Sequence, residues 1–295
     1  MSAKIKEAEE AIERAEKSLK TSLLKWKPDF DSAANEYQKA ATAYKSCKDF
    51  EKAVNCCLQA AKCYQQNRQN FSAAKAYEQA GLIAGKDMEK WNDASSFFEK
   101  SCQLFREHGV ADTAALTYDR GAKMLEPVNP EKAAEFYRKA VETTLLECRT
   151  FQAADYASKA VRVYLKLQRL KDALEMLEKQ MECMKEADDQ RSLSRLTVHL
   201  VLVHLARDDY VAASRGFRDN QSCVEEEELN TLSTLLDGVD KGDAEKTISA
   251  LDHPFIKNLD LEYTKIARDL KLKYKNLRNS AKDSGDEDYE KGAFL

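Results

Sequence analysis

Cysteine, histidine and paired carboxylates most often carry chemistry in proteins, and this sequence contains all three. Its eight cysteines include no C-x-x-C motif and no cysteine–histidine group at zinc-ligand spacing. His199 and His204 are five residues apart, so a helix places them on different faces, which favours satisfied buried histidines over a ligand pair. The acidic pair Asp208–Asp209 falls at an expected helix end, where caps and turns explain it. No phosphate-binding glycine loop or catalytic metal motif is present, so we expect neither an enzyme nor a cofactor.

A different chemistry, contact with lipid, is indicated by one short apolar segment before Pro28. The segment consists of Leu23, Leu24, Lys25, Trp26 and Lys27. Tryptophan and lysine beside bulky apolar side chains are typical of the membrane interface. The same residues are also explained as a hydrophobic plug that packs onto the first two helices. Composition leaves both interpretations open.

Small and aromatic residues recur along most of the chain at a fixed spacing. In the stretch Asn70–Ala84, alanine lies three and ten residues after Asn70, and tyrosine seven residues after it. These steps keep all three positions on one face of a helix, where alanine lets a neighbouring helix approach closely. Similar windows start at Phe30, Phe50, Asn70, Trp91, Ala111, Pro130, Thr150, Leu170 and Tyr210. All have the first alanine, and six have the aromatic residue: Tyr37, Tyr77, Phe98, Tyr118, Tyr137 and Phe217.

A period of about 20 residues means one helix per unit and predicts an all-α solenoid of antiparallel helix hairpins. One unit near Gln190 lacks the pattern and is instead strongly apolar, so we expect a buried helix there. We predict a first helix over residues 2–24 and a repeat region that ends near residue 220. A C-terminal helical bundle follows over 221–282, with its last helix over 261–277, and an acidic tail occupies 283–295.

Composition limits the classes of function further. The net charge of −4 argues against a general nucleic-acid binder. The N-terminus lacks the apolar core of a secretory signal, and the apolar runs are too short to span a membrane. Several cysteines, such as Cys57, fall at repeat positions, as small apolar core residues do. We therefore expect a soluble, cytoplasmic protein.

The end of the sequence separates its charges. Between Thr264 and Lys282 there are seven basic residues and one acid, whereas residues 283–290 contain five acids. The chain then ends in Phe294 and Leu295. This pattern fits either a solvated tail or a short docking peptide.

Four segments together resemble the soluble NSF attachment protein (SNAP) family, and within it most closely the gamma type. They are LKWKPDFDSAANEYQKAATAYK (24–45), FSAAKAYEQAG (71–81), ADTAALTYDRGAKMLEPVNPEKAAEFY (111–137) and VHLVLVHLARDDYVAA (198–213). The resemblance covers nearly the whole chain. It implies TPR-like hairpins followed by a helical bundle.

The resemblance also implies a function and a set of contact residues. It implies a non-enzymatic adaptor that binds the assembled SNARE complex, a four-helix bundle, and recruits the hexameric ATPase NSF to disassemble it. It implies a monomer when free, several copies on one complex, and weak peripheral contact with cytosolic membrane faces. The expected contacts are residues 23–27 for membrane, Lys159 and Arg162 for the SNARE complex, and Asp286, Glu287, Asp288 and Leu295 for the ATPase. The alpha type has a phenylalanine pair in the membrane loop, which this chain lacks.

Two other functions fit the sequence less well. A generic TPR-like scaffold for a peptide would more often repeat every 34 residues. A helical enzyme of the prenyltransferase kind would need an acid-rich metal motif, which the sequence lacks.

Overall fold

The computed structural model describes residues 2–21 and 26–291, with side chains described at 3–21 and 26–279. Within these ranges the chain is all-helical and contains no strand. The helices are α1 Ser2–Leu19, α2 Phe30–Ser46, α3 Phe50–Gln66, α4 Asn70–Lys86, α5 Trp91–Glu107, α6 Ala111–Leu125, α7 Pro130–Leu145, α8 Thr150–Lys166, α9 Leu170–Glu186, α10 Gln190–Ala206, α11 Tyr210–Asn220, α12 Glu226–Asp240, α13 Ala244–Leu251, α14 Pro254–Lys257 and α15 Leu261–Lys291. A 3₁₀ turn, Gln221–Cys223, joins α11 to α12.

The repeat predicted the start of every helix from α2 to α11, including α10, whose unit lacks the alanine pattern. The fold is the predicted all-α, TPR-like solenoid. Two predicted boundaries were wrong. Helix α1 ends at Leu19 rather than at residue 24, because the Asp29 N–H closes the turn by donating to the Ser18 carbonyl at 3.0 Å. Helix α15 continues to Lys291 rather than ending near 277, since no proline follows Pro254 to stop it.

The repeated alanines form the contact seam between helices, as predicted. The alanine at the fourth position of each window is fully buried: Ala33, Ala53, Ala73, Ala94, Ala114, Ala133, Ala153, Ala173 and Ala213 each expose 0% of their surface. All six predicted aromatic residues are buried as well. A methyl group at the point of closest approach allows tight helix packing, and the ring beside it fills the remaining volume.

The turns between the helices repeat a second pattern, which was not predicted from the sequence. In the first of them, Lys48 adopts a left-handed backbone with φ 63°. The Asp49 N–H then donates to the Tyr44 carbonyl at 3.0 Å, which closes a Schellman motif. The Asp49 side chain in turn accepts a hydrogen bond from the Lys52 N–H and caps α3. Asp49 thus takes part both in ending one helix and in starting the next.

Helix α10 has the predicted buried character. Twelve of its seventeen residues are buried, and it packs against α9, α11, α12 and α15. It therefore joins the last repeat helices to the C-terminal helices. An all-round apolar surface suits a helix that is enclosed on every side.

The chain divides into two compact units, Met1–Tyr156 and Ala157–Leu295. The boundary lies within α8. In the first unit, neighbouring helices pack in sequence from α1 to α7. In the second, α15 packs on α10, α13 and α14. The division at residues 220 and 282 was derived from the repeat pattern, and it stays a prediction.

Candidate interaction surfaces

The loop between α1 and α2 holds the predicted membrane contact. Leu23, Leu24 and Lys25 lie outside the described residues. Trp26 exposes 88% of its surface, and Lys27 is also exposed. The hydrophobic-plug interpretation requires a buried tryptophan, so it is not supported at Trp26. Contact with lipid stays a prediction.

Lys159 and Arg162, the residues predicted for the SNARE complex, lie one turn apart on α8 within the second compact unit. Arg162 is exposed and Lys159 is half-buried. Lys159 occupies the tenth position of its helix, as Arg120 does in α6 and Lys139 in α7. At that position, Arg120 and Lys139 form ion pairs between helices.

Some of the basic residues at the tenth position form a short ladder of ion pairs in the first unit. Two of them bind an acid at the ninth position of the helix two units earlier. Arg120 binds Glu78 at 2.6 Å, and Lys139 binds Glu99 at 2.9 Å. This ladder was not predicted, although its signal is present in the sequence, because a basic residue stands at the tenth position of six repeat helices. These residues are Lys39, Lys100, Arg120, Lys139, Lys159 and Lys179.

Four charges form a closed network between α5 and α7 around the second of these pairs. Lys132 and Lys139 each bind both Glu99 and Glu135, at 2.8–2.9 Å. Partial burial disfavours the charged form of Lys139, but its hydrogen bonds to Glu135 and Glu99 outweigh this and raise its pKa. Both lysines also lie over the Phe136 ring, 5.6 and 6.0 Å from its centroid. These four charged groups are paired with one another, which makes them poor candidates for binding a partner.

The basic segment of α15 is also largely paired within its own unit. Lys271 binds Asp252, and Lys273 binds Asp208. Arg278 approaches Glu245 at 3.8 Å. The segment therefore anchors the helix on the bundle, and the excess of positive charge seen in the sequence is partly neutralised by distant acids.

The residues predicted for the ATPase lie at the end of the chain. Asp286, Glu287 and Asp288 are in the last turns of α15, where side chains are not described. Leu295 lies outside the described residues. The acidic segment is therefore helical over 283–291, and its role in ATPase binding stays a prediction.

The two histidines of α10 are buried, as predicted. The prediction that their ring nitrogens are hydrogen-bonded was wrong for one nitrogen of each ring. His199 stacks on Tyr263 with ring centroids 3.7 Å apart, and its Nε2 has no hydrogen-bond partner among the described residues. Nδ1 of His204 likewise has none there. Burial lowers the pKa of His199 to about 3, so the ring is neutral at physiological pH. No group of three His, Cys, Asp or Glu side chains suited to a metal occurs in the described part of the chain.

The cysteines behave as core residues, as the repeat pattern predicted. Six of the eight are buried, Cys223 is half-buried and only Cys148 is exposed. Burial raises the pKa of Cys56 to about 11 and that of Cys57 to about 12. Thiols with such pKa values are poor nucleophiles at neutral pH.

The fold is that of a helical-repeat protein, in which the repeated alanine and aromatic residues pack the helices together. Residues 6–271 match the family model for "Soluble NSF attachment protein, SNAP", so the chain belongs to that family. A gamma-soluble NSF attachment protein of Dictyostelium discoideum is 27% identical over 90% of this chain and 83% of its own length. One of Arabidopsis thaliana is 26% identical over 88% of this chain and 90% of its own length.

Among solved structures, a Pyrococcus horikoshii STAND ATPase with a tetratricopeptide repeat sensor is 18% identical, with a TM-score of 0.37, over 96% of this chain and 43% of that chain. This likeness is too low to bear on function. No helix among the described residues is long and apolar enough to cross a membrane.

Proposed function

We propose that this chain is a non-enzymatic adaptor that binds assembled SNARE complexes and recruits the hexameric ATPase NSF to disassemble them. The observation that carries the proposal is the family match over residues 6–271, which includes every repeat helix from α2 to α11. A repeat solenoid offers a long, regular surface suited to a rod-shaped partner. The expected setting is the cytosolic face of a membrane, with a monomer in solution and several copies on each complex.

In this proposal, three surfaces each contact a different partner. Lys159 and Arg162 on α8 contact acidic residues of the SNARE complex. The acidic end of α15, with Asp286, Glu287 and Asp288, and the terminal Leu295 engage the ATPase. The loop that contains Trp26 touches the membrane weakly.

The direct test is a binding experiment with soluble SNARE complex, with and without NSF. We expect the chain to bind the complex, to retain NSF on it in the presence of a non-hydrolysed nucleotide, and to support disassembly once ATP is supplied. A chain that binds an unrelated peptide but neither the complex nor NSF would instead be a generic TPR-like scaffold.

The residue-level test reverses two charges on α8. We expect Lys159→Glu with Arg162→Glu to weaken binding of the SNARE complex, and to do so most strongly at low salt, since salt screens exposed charge pairs. A matched control exists in α3, where Gln59 and Lys62 occupy the same two repeat positions. Gln59→Glu with Lys62→Glu should have little effect. An equal loss for both variants would remove the specific role of α8, and thermal melting of both variants checks that each one folds.

A further inference from the structure

The turn between α7 and α8 carries an exposed apolar cluster that neither the fold nor the proposed function uses. Leu146 exposes 73% of its surface and Phe151 exposes 65%, and Leu145 is partly exposed beside them. The equivalent phenylalanine of α4, Phe71, is packed, with its ring 5.4 Å from that of Phe105. Phe151 stands at the same repeat position and remains in solvent.

The turn holds these side chains in a fixed geometry. Cys148 takes the left-handed conformation with φ 54°, and the Arg149 N–H donates to the Thr144 carbonyl at 3.3 Å. The Arg149 guanidinium binds Asp112 at the start of α6 at 2.5 Å. The cluster therefore lies on a turn that Arg149 anchors to α6. Exposed bulky apolar side chains at a helix-hairpin turn can enter the headgroup layer of a bilayer.

The position of the turn in the array points to the same occupant. Helices joined by three- or four-residue turns run antiparallel, so the turns after α1, α3, α5 and α7 lie at one edge of the first unit, and those after α2, α4 and α6 lie at the other. The described residues of the first set include four basic and two acidic side chains: Lys20, Lys27, Arg68 and Arg149, the last of them paired with Asp112, against Asp29 and Glu147. The second set reverses the ratio, with Lys48 and Lys90 against Asp49, Asp87, Glu89 and Glu126.

We propose that the α7–α8 turn is a second lipid-contacting site, in which Leu146 and Phe151 enter the interface of an anionic membrane. It shares the more basic edge with Trp26. The proposal rests on the membrane role in the proposed function and extends it to a site far along the chain. Two weak contacts on one molecule bind a surface better than one, because the second contact forms at a high effective concentration.

The first test measures binding of the full chain to phosphatidylcholine vesicles with and without phosphatidylserine. Leu146→Ser with Phe151→Ser should raise the lipid concentration needed for half-maximal binding by about tenfold. The control is Leu116→Ser with Val128→Ser, which removes two exposed apolar side chains from α6 and from the opposite edge, and it should have little effect. Equal shifts for both variants would overturn the proposal.

A second measurement reports insertion directly and does not depend on a destabilising change. Cys148 is the only exposed cysteine among the eight, so in a Cys223→Ser background it can be labelled with an environment-sensitive nitrobenzoxadiazole dye. We expect the emission to shift to the blue on phosphatidylserine vesicles. The same dye at Val128→Cys, in a chain that also has Cys148→Ser, should show no shift. Absence of a shift at Cys148 would contradict insertion.

Soluble SNARE complex separates this proposal from the function on which it rests. The Leu146→Ser, Phe151→Ser variant should bind soluble complex as the unmodified chain does, and a loss there would make the turn a protein contact and overturn the lipid assignment. If Trp26→Ser weakens vesicle binding and the turn variant does not, the second site fails and the proposed function stands. If the unmodified chain binds neither vesicles nor SNARE complex, both fail.

Discussion

At the scale of single residues, burial determines most of the chemistry. His199 of α10 illustrates this. Its buried ring stacks on Tyr263, and burial lowers its pKa far below that of a histidine in water. Cys56 and Cys57 follow the same rule, since burial raises the pKa of both thiols. These groups contribute to packing. Unlike an aliphatic side chain, a buried group that can titrate also makes stability depend on pH.

We expect stability to fall on acidification because of His199. In the unfolded chain its pKa is about 6.5, and in the folded chain it is about 3. Between these values the unfolded state binds one more proton, so stability is fully present above the higher value and decreases as the pH falls below it. From pH 7 to pH 5 this residue alone should reduce the free energy of unfolding by about 2 kcal/mol.

Urea unfolding of the native chain and of His199→Phe at the two pH values measures this contribution. Phenylalanine keeps a ring to stack on Tyr263 and does not titrate. The variant should lose less stability on acidification than the native chain does. Parallel losses in the two proteins would assign the pH dependence to other groups.

At the scale of elements, the repeated turn ends one helix and connects it to the next. Its left-handed position is occupied by non-glycine residues in seven of the repeat turns and by glycine at Gly109. A side chain in this conformation is strained by about 1–2 kcal/mol relative to glycine, although glycine loses more entropy on folding.

We therefore expect Lys48→Gly to stabilise the protein by a few tenths to about 1 kcal/mol. Lys48 is exposed and has φ 63°, so the substitution removes strain without opening a cavity. The matched control is Lys45→Gly, in the last turn of α2 and also exposed, which should destabilise by about 1 kcal/mol. Thermal melting of both variants gives the comparison, and shifts of the same sign would show that Lys48 is not strained in solution.

At the scale of the whole molecule, the proposed function depends on contacts from both ends of the chain. The loop of residues 23–27 and the tail after residue 283 lie outside the repeat helices, which extend from α2 to α11. Each end can therefore be changed while the fold and the SNARE-binding surface serve as internal controls.

Removing the apolar side chains of the first loop should affect membrane-dependent activity alone. We expect Leu23→Ser, Leu24→Ser and Trp26→Ser together to leave binding of soluble SNARE complex nearly unchanged. The chain concentration needed for disassembly on liposomes should rise sharply, since a partly buried loop is a marginal anchor that becomes effective when several copies share one complex. Equal losses in both assays with a lower melting temperature would restore the hydrophobic plug.

Truncation tests the other end. Deleting Asp286 to Leu295 removes four acids and the apolar terminus while leaving the packing of α15 on α10 and α13. We expect folding and SNARE binding to persist and recruitment of the ATPase to fall, which pull-down with NSF and a thermal melt would measure together. A lower melting temperature in the truncated chain would instead mean that the tail packs on the bundle.

The sequence by itself determined the helices, their order and their buried seam. Alanine and aromatic residues at helical spacing act over one turn or one helix, so their consequences can be read locally. The resemblance to a family came from the same segments. The unit near Gln190 was located only because its neighbours fixed the period.

Tertiary structure decided which charged side chains form ion pairs and which apolar side chains are exposed. Glu99 and Lys139 are 40 residues apart, and only the stacking of alternate helices brings them to 2.9 Å. Phe71 and Phe151 look alike in the sequence, yet one packs on Phe105 and the other faces solvent. Burial depends on what a neighbouring helix presents, and no local pattern carries that information.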